Sequence, residues 1–553
     1  MSKRIFKMAL ASITMLFAIN NGTDACSNLI VGRNASTDGS VIVSYSADSY
    51  GCYGIMQHFS AGKHPKGAVR KIFNWETDKY VGDIEEAAET FNVIGNINEH
   101  QVTIAETTFG GREELVDTTA FLDYGSMIYI ALQRSKTARE AIKVMTDLVN
   151  KYGYASEGES FTIADPREAW IMEMVGKGAG SKGAVWVAVR IPDDCIAAHA
   201  NQSRIHRFMQ YDKDNCMYAK DVVSFARKKG YYKGKDEDFD FANAYCPLDF
   251  GGARYCEARA WSFFNHWATG MNKYFDYASG RNLKAEPFPL FVKPKAKLSV
   301  QDIQASMRDQ YEGTPLDMTK DAGSGAYISP YRPRPLEWEY KGKKYFNERP
   351  LGTQQSSFVF VSQMRSSLPD AIGGVIWFAN DDSKTTPFTP VYCCATEAPA
   401  CYTKKYGDDV TFSFKSAFWV CNWVSNMVYP RFSLMFDDVK KAQAELESHY
   451  FTQQKEIESK AEVLYASNKK EAVDFLTDYS VESANRMMER WIKLAEFLIV
   501  KYNDMVVKPE TDGIFKRTTE GLGAPVKSVG YPEETKERIV KETGDKYLVP
   551  TDK

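Results

Sequence analysis

The sequence predicts an α+β fold in which antiparallel strands form stacked sheets covered by helices, with a helical C-terminal extension. Three observations carry this. Residues 27–201 hold a succession of short β-branched runs joined by turn residues, and strands joined by short turns pair antiparallel. Helical spacing of apolar residues interrupts the strands at Met127–Val149, and helical stretches recur at Ala253–Trp267 and Val300–Tyr311. After Ser416 the strand pattern gives way to long charged segments of helical character. Helices that precede, separate and follow strands are expected to cover both faces of the sheets.

The first 25 residues stand apart. Lys3, Arg4 and Lys7 precede a short apolar run, Met8 to Ile19. A polar stretch follows, with small residues at Thr23 and Ala25. This reads as a secretory signal cleaved after Ala25. The apolar run is too short for a comfortable membrane span, so an exported protein, periplasmic or secreted, without stable membrane insertion is expected. The chain then divides into a signal (1–25), a main body (26–430) and a helical C-terminal region packed on it (431–553), with a loose tail from Lys508.

The strand beginning near Cys26 runs through Asn28-Leu29-Ile30-Val31, turns at Asp38-Gly39 and returns as Val41 to Ser46. Asp-Gly between two β-branched runs is a strong hairpin signal. Asp48 is expected just beyond the hairpin partner. Val102 to Phe109 alternates and breaks at Gly110-Gly111. Residues 160–190 read as a meander: Phe161–Ala164, a turn at Asp165-Pro166, then Ala169–Val175 and Val185–Arg190. The glycines between the last two, Gly178-Ala179-Gly180-Ser181-Lys182-Gly183, fit GxGxxG but open no helix, so they are expected to form a hairpin loop. Ile196 to Asn201 is the next strand, with Asn201 at its end. Pro287–Pro294 reads as a linker and 312–352 as irregular. Ser357–Val361 and Gly374–Ala379 are the last strands, followed by helices over Ser416–Met427 and Asp437–Asp504.

Composition is that of an ordinary globular chain, 44% hydrophobic and 25% charged with a net charge of −3, and no Lys/Arg block suggests a nucleic-acid partner. The ten cysteines include no CxxC pair, and the seven histidines no HExxH. No catalytic metal and no cofactor are expected. In an oxidising compartment some cysteines are expected to pair, with connectivity left open.

Cys26 is the chemical centre of the sequence. Cleavage after Ala25 would give it a free α-amine beside its own thiol. A free thiol with pKa about 8.5 is only a few per cent thiolate at neutral pH. An α-amine with pKa about 7.7–8.0 is partly neutral there and can take the thiol proton without a histidine. The competing reading is lipid attachment to Cys26, which would make the protein a surface-anchored binding protein. The acidic Asp24 fits a lipoprotein signal badly.

The run Cys26-Ser27-Asn28-Leu29-Ile30-Val31-Gly32-Arg33-Asn34-Ala35-Ser36-Thr37-Asp38-Gly39-Ser40 resembles the start of the mature C69 (U34) dipeptidases, which belong to the N-terminal nucleophile hydrolases. Further matching stretches are Asn98-Glu99, Ala105-Glu106-Thr107-Thr108, Gly158-Glu159-Ser160-Phe161-Thr162 and Arg365-Ser366-Ser367-Leu368-Pro369. The resemblance implies a four-layer αββα sandwich and a dipeptide or short-peptide substrate. Another amidase of the same mechanism, acting on N-acyl amides, is the nearest alternative, and a homo-oligomer is possible. The resemblance also implies roles at matching positions. Asp48 would hold the amine of Cys26. Asn201 would donate to the oxyanion with its side-chain amide, and Thr108 with its backbone N–H. Arg259 matches a late arginine near the nucleophile. One departure stands out: Tyr45 occupies a position where relatives often carry arginine, so a cation beside the thiol is expected to be missing.

Overall fold

Two antiparallel sheets stack around the strand that carries Cys26. The computed structural model describes residues 25–332, 335–519, 521 and 523–550. Apart from Ala25, the expected signal segment lies outside them. In chain order the main strands are β1 (Ala25–Val31), β2 (Val41–Asp48), β3 (Thr103–Gly110), β4 (Gly158–Ala164), β5 (Ala169–Gly176), β6 (Ala184–Ile191), β7 (Ile196–His199), β8 (Ser356–Met364), β9 (Gly374–Asn380) and β10 (Thr389–Tyr392). The main helices are α1 (Tyr124–Arg134), α2 (Ala138–Tyr152), α3 (Ala258–Trp267), α4 (Ala417–Val428), α5 (Phe432–Ser467) and α6 (Lys469–Lys501).

The first sheet has seven strands in the order Phe291–Val292, β7, β1, β2, β8, β9, β10. The second has eight: Cys216–Tyr218, β6, β5, β4, β3 and three two-residue strands. β1 is therefore central, paired with β7 on one side and β2 on the other. The β1–β2 hairpin sets Cys26 opposite Ala47 and Asn28 opposite Tyr45. Its turn is held by Asp38, which accepts from the Ser40 amide at 3.0 Å, and by Gly39 at φ +78°, a conformation open to glycine without strain. Asp48 is the last residue of β2 rather than a residue beyond it.

Between the sheets, Ile30, Val43 and Phe360 share an apolar cluster with Ala105, Ile171 and Val187. Polar pins cross this layer. Thr103 and Ser362 hydroxyls meet at 3.1 Å, and Asn28 Nδ2 donates to the Glu106 carbonyl at 2.8 Å. His199 sits between the hydroxyls of Thr107 and Thr162, 2.7 Å from each; burial first and Arg204 second push its pKa down to about 3. It therefore stays neutral and can serve one partner as donor and the other as acceptor.

The opposite face of the second sheet buries Ile104, Phe161, Ile163 and Met172 against Met127, Ile130, Ile142 and Met145 of α1 and α2. On the first sheet, α3 contacts β1 and β7, α4 contacts β9 and α6 contacts β10. Trp377 of β9 stacks on Phe451 of α5 at 4.1 Å, and Arg365 pairs with the buried Glu458 of α5 at 2.6 Å.

Several sequence expectations need correction. The helix expected over Met127–Val149 is two helices, because Thr137 caps α2 by accepting from Glu140 N. The stretch Ala253–Trp267 enters α3 through a π-helical turn at Gly252–Glu257. Phe291–Val292, inside the expected linker, is an edge strand on β7. The helix after Ser299 ends at Ser306, and Asn468 divides the last long helical segment into α5 and α6. Residues 312–352 include a hairpin, Glu337–Tyr340 with Lys343–Phe346. The tail is not wholly loose, since Glu533–Thr543 is helical. All ten cysteines are free thiols, so no disulfide forms. The glycine loop at 178–183 joins β5 to β6 as expected. Among the described residues no helix is long and apolar enough to cross a membrane.

Candidate active site

Cys26 enters the core near the start of β1 and is 6% exposed. Its thiol lies 3.4 Å from Glu106 Oε1 and 3.5 Å from the Tyr45 hydroxyl. Tyr45 in turn donates to the same Glu106 oxygen at 2.6 Å. β3 meets the neighbouring short strand only at Thr103, which leaves the Glu106 end of that edge without a paired strand. Burial, then the Glu106 and Asp48 carboxylates, raise the thiol pKa well above its ordinary value; hydrogen bonds from Tyr45 and the Asp48 backbone act the other way. With Ala25 still attached, the sulfur is held as a thiol.

The nitrogen of Cys26 is equally fixed. Its N–H donates to Asn201 Oδ1 at 2.9 Å, and Asn201 Nδ2 donates to the Thr108 carbonyl at 2.6 Å. Asn201 sits just past β7 at φ +58°, a left-handed conformation that asparagine tolerates better than most residues. The Thr108 hydroxyl donates to Glu159 Oε1 at 2.7 Å, and the β3–β4 register shifts between Thr108 and Gly110.

Arg259, on α3, is fully buried. It is not a surface ion pair. Its Nη1 donates to the Cys26 carbonyl at 2.8 Å and to Ser27 Oγ at 2.7 Å. Its Nη2 donates to Asn201 Oδ1 at 2.8 Å and to the Ala200 carbonyl at 3.3 Å, and its Nε to the Tyr255 carbonyl at 2.7 Å. All five guanidinium N–H groups are thus used, on backbone carbonyls and the Ser27 and Asn201 side chains around Cys26 rather than on the sulfur. What Tyr45 brings to the thiol is a hydroxyl and a route to Glu106.

Asp48 pairs in register with Ala25, the residue before Cys26. Its carboxyl accepts from Ser356 Oγ at 2.7 Å and Ser46 Oγ at 3.3 Å. Burial pushes its pKa up to about 6, opposed by Arg349, Ser356 and Arg259. The structure therefore gathers Cys26, Thr108, Asn201 and Arg259 into one hydrogen-bonded chain. Asp48 joins them through the register of β1 and β2.

Four acidic or phenolic groups have site contacts that went unassigned in the sequence: Tyr45, Glu106, Glu159 and Glu173. Each carboxylate lies in a strand whose neighbours are apolar, Thr, Ser or Gly, and a lone charge in such a strand was the available signal. Glu173 of β5 accepts from the amides of Arg204 at 2.6 Å and Ile205 at 3.2 Å and from the Ser203 hydroxyl, fixing the loop that starts at Asn201. Burial raises its pKa to about 7 against those hydrogen bonds. Arg204 then reaches Glu257 at 2.9 Å, tying this loop to the start of α3.

A cavity of about 630 Å³ opens beside these residues, lined by Thr108, Tyr124, Glu159, Asn201, Tyr255 and Arg349 among others. That is room for a small ligand. A second cavity of about 480 Å³, around Lys63, Glu89, His100 and Lys136, touches none of the site residues. Among the described residues no group of three or more His, Cys, Asp or Glu side chains could hold a metal ion.

Residues 25–445 match the pattern of peptidase family C69. A probable dipeptidase of Salmonella dublin is 28% identical over 385 residues, covering 66% of this chain and 81% of that protein. A probable dipeptidase of Latilactobacillus sakei is 26% identical over 506 residues, covering 86% and 95% respectively. Dipeptidase A of Lactobacillus helveticus is 24% identical over 420 residues, covering 71% and 80%. On the strength of a family match that takes in well over half of its length, the chain belongs to peptidase family C69 and is a hydrolase.

Proposed function

We propose that the protein is an exported cysteine-type dipeptidase of N-terminal nucleophile type. Its nucleophile is Cys26, and its general base is the α-amine that cleavage after Ala25 exposes. The observation that carries this is the Cys26 nitrogen held by Asn201 Oδ1 at 2.9 Å, so that the future amine is anchored before it is free. Two stacked antiparallel sheets with helices against both support reading the fold as the four-layer αββα sandwich of such hydrolases. The names carried by the relatives support dipeptides as the substrate class.

The steps balance without a cofactor. The neutral α-amine takes the thiol proton, and the sulfur attacks the scissile carbonyl carbon. The oxyanion that forms is met by Asn201 Nδ2 and the Thr108 backbone N–H. The C–N bond breaks, the ammonium returns its proton to the leaving amine, and a thioester remains. Water, deprotonated by the same amine, then cleaves the thioester and regenerates the thiol. Asp48 holds the ammonium, while Arg259 positions the Cys26 carbonyl and Asn201. Once the amine has taken the proton, its positive charge stabilises the thiolate beside it.

The test is hydrolysis of alanyl dipeptides by the wild type and by Cys26→Ala, each checked for folding. The reading requires loss of all turnover in the variant. Full turnover would remove the mechanism.

A further inference from the structure

Glu159 is a buried carboxylate on the wall of the cavity. One oxygen accepts from Thr108 Oγ1 at 2.7 Å. The other, Oε2, is buried and meets no N–H or hydroxyl donor among the described residues. The Glu106 carboxylate, whose Oε1 meets the Cys26 thiol and the Tyr45 hydroxyl, stands near enough to act on it electrostatically. Burial first and Glu106 second hold Glu159 well above the ordinary carboxylate range. A buried carboxyl that faces a cavity is unfavourable as a charge unless something cationic meets it.

The rest of the wall has the same sign. Glu76, Asp123 and Glu157 line the cavity as well, against one cation among the described lining residues, Arg349. The pair is also tied to the chemistry at both ends. Glu106 contacts the Cys26 thiol at 3.4 Å, and Glu159 is joined through Thr108 to Asn201. A cation bound at Glu159 would therefore lie close to a carbonyl under attack by Cys26. In a peptide the cation nearest a scissile carbonyl on the acyl side is the α-ammonium of an unblocked N-terminal residue, two bonds away.

We propose that Glu159, backed by Glu106, binds the free α-ammonium of the substrate's N-terminal residue and so selects unblocked peptides over N-acylated ones. This rests on the peptidase reading above and assigns its specificity to one residue. The ammonium supplies a donor to Glu159 Oε2, and it fixes the carbonyl relative to the sulfur.

The experiment compares kcat and KM for alanyl-alanine with those for propionyl-alanine, in which a hydrogen replaces the ammonium without added bulk. Wild-type and Glu159→Gln enzymes are compared, each processed to begin at Cys26. The wild type is expected to favour alanyl-alanine by about 100-fold or more in kcat/KM. In Glu159→Gln that preference should shrink to under about 10-fold, through a raised KM for alanyl-alanine with the propionyl substrate little changed. Equal wild-type rates on the two substrates would overturn the ammonium site while leaving the peptidase reading intact. So would an undiminished preference in a folded Glu159→Gln enzyme. Hydrolysis of neither substrate by the wild type would overturn the peptidase reading and this one with it. The wild-type comparison decides the matter even if the variant does not fold.

Discussion

The guanidinium of Arg259 donates to the carbonyl oxygen of Cys26 at 2.8 Å, from a helix 233 residues away in sequence. The same group reaches Asn201 Oδ1, so one buried cation fixes the Cys26 backbone and its polar partner together. Arg259→Met would take a donor from four buried oxygen acceptors near the site, besides the Ser27 hydroxyl. A loss of roughly 3 kcal/mol or more in stability is expected, read from urea unfolding. Arg259→Lys, with three donors for five contacts, should fold better than the methionine variant yet lose most of its kcat. A lysine variant of full activity would show that the clasp is not needed.

Asn201→Ala removes the side chain that holds the Cys26 nitrogen and is proposed to meet the oxyanion. A fall of about 10²–10³-fold in kcat with a small change in KM is expected from steady-state kinetics. A change confined to KM would assign Asn201 to substrate binding instead.

Tyr45 stands beside the Cys26 thiol, and its variants should separate two effects. Tyr45→Phe removes the hydroxyl that donates to Glu106 at 2.6 Å and lies beside the sulfur. About a tenfold fall in kcat and about 1 kcal/mol of destabilisation are expected. Tyr45→Arg brings a positive charge to the thiol and lowers its pKa. Alkylation of Cys26 at mildly acidic pH, followed by mass spectrometry, should then be faster than in the wild type. An unchanged alkylation rate would mean that Tyr45 does not govern the thiol.

Glu173 gives a pH dependence of stability. Its pKa is raised from 4.5 to about 7, chiefly by burial. Between those values the folded chain binds more protons than the unfolded one, so stability falls as pH rises through that window. The contribution is about 3 kcal/mol between the two limits. Glu173→Gln keeps an acceptor for the Arg204 and Ile205 amides and a group that can pair with Ser203. Urea titrations across pH 4–8 should show a shallower fall for the variant; identical slopes would contradict the assignment.

Much of the fold could be read along the chain because its strands are short, β-branched and joined by turn residues. The hairpin at Asp38-Gly39 and the glycine loop at 178–183 are local events with local signals. Helix breaks were harder. Thr137 and Asn468 interrupt helices by capping the next segment, and the apolar spacing runs on past both. Among the site residues, Cys26 and Asn201 were marked by position, after the expected cleavage point and at a strand end. Arg259 could be flagged by resemblance, but its five-bond clasp could not, since all its partners are brought together only by the tertiary fold. Glu106 and Glu159 went unassigned because strand periodicity sorts residues by face. It does not report that an unpaired edge lets a carboxylate from one sheet reach a thiol in the other.

The central claim is that Cys26 acts as an N-terminal residue. It is tested most directly by the intact mass and N-terminal sequence of the catalytically active protein. The account predicts an active species that begins at Cys26 with an unmodified amine and lacks residues 1–25. An active species that retains Ala25, or one whose Cys26 carries a lipid, would contradict it.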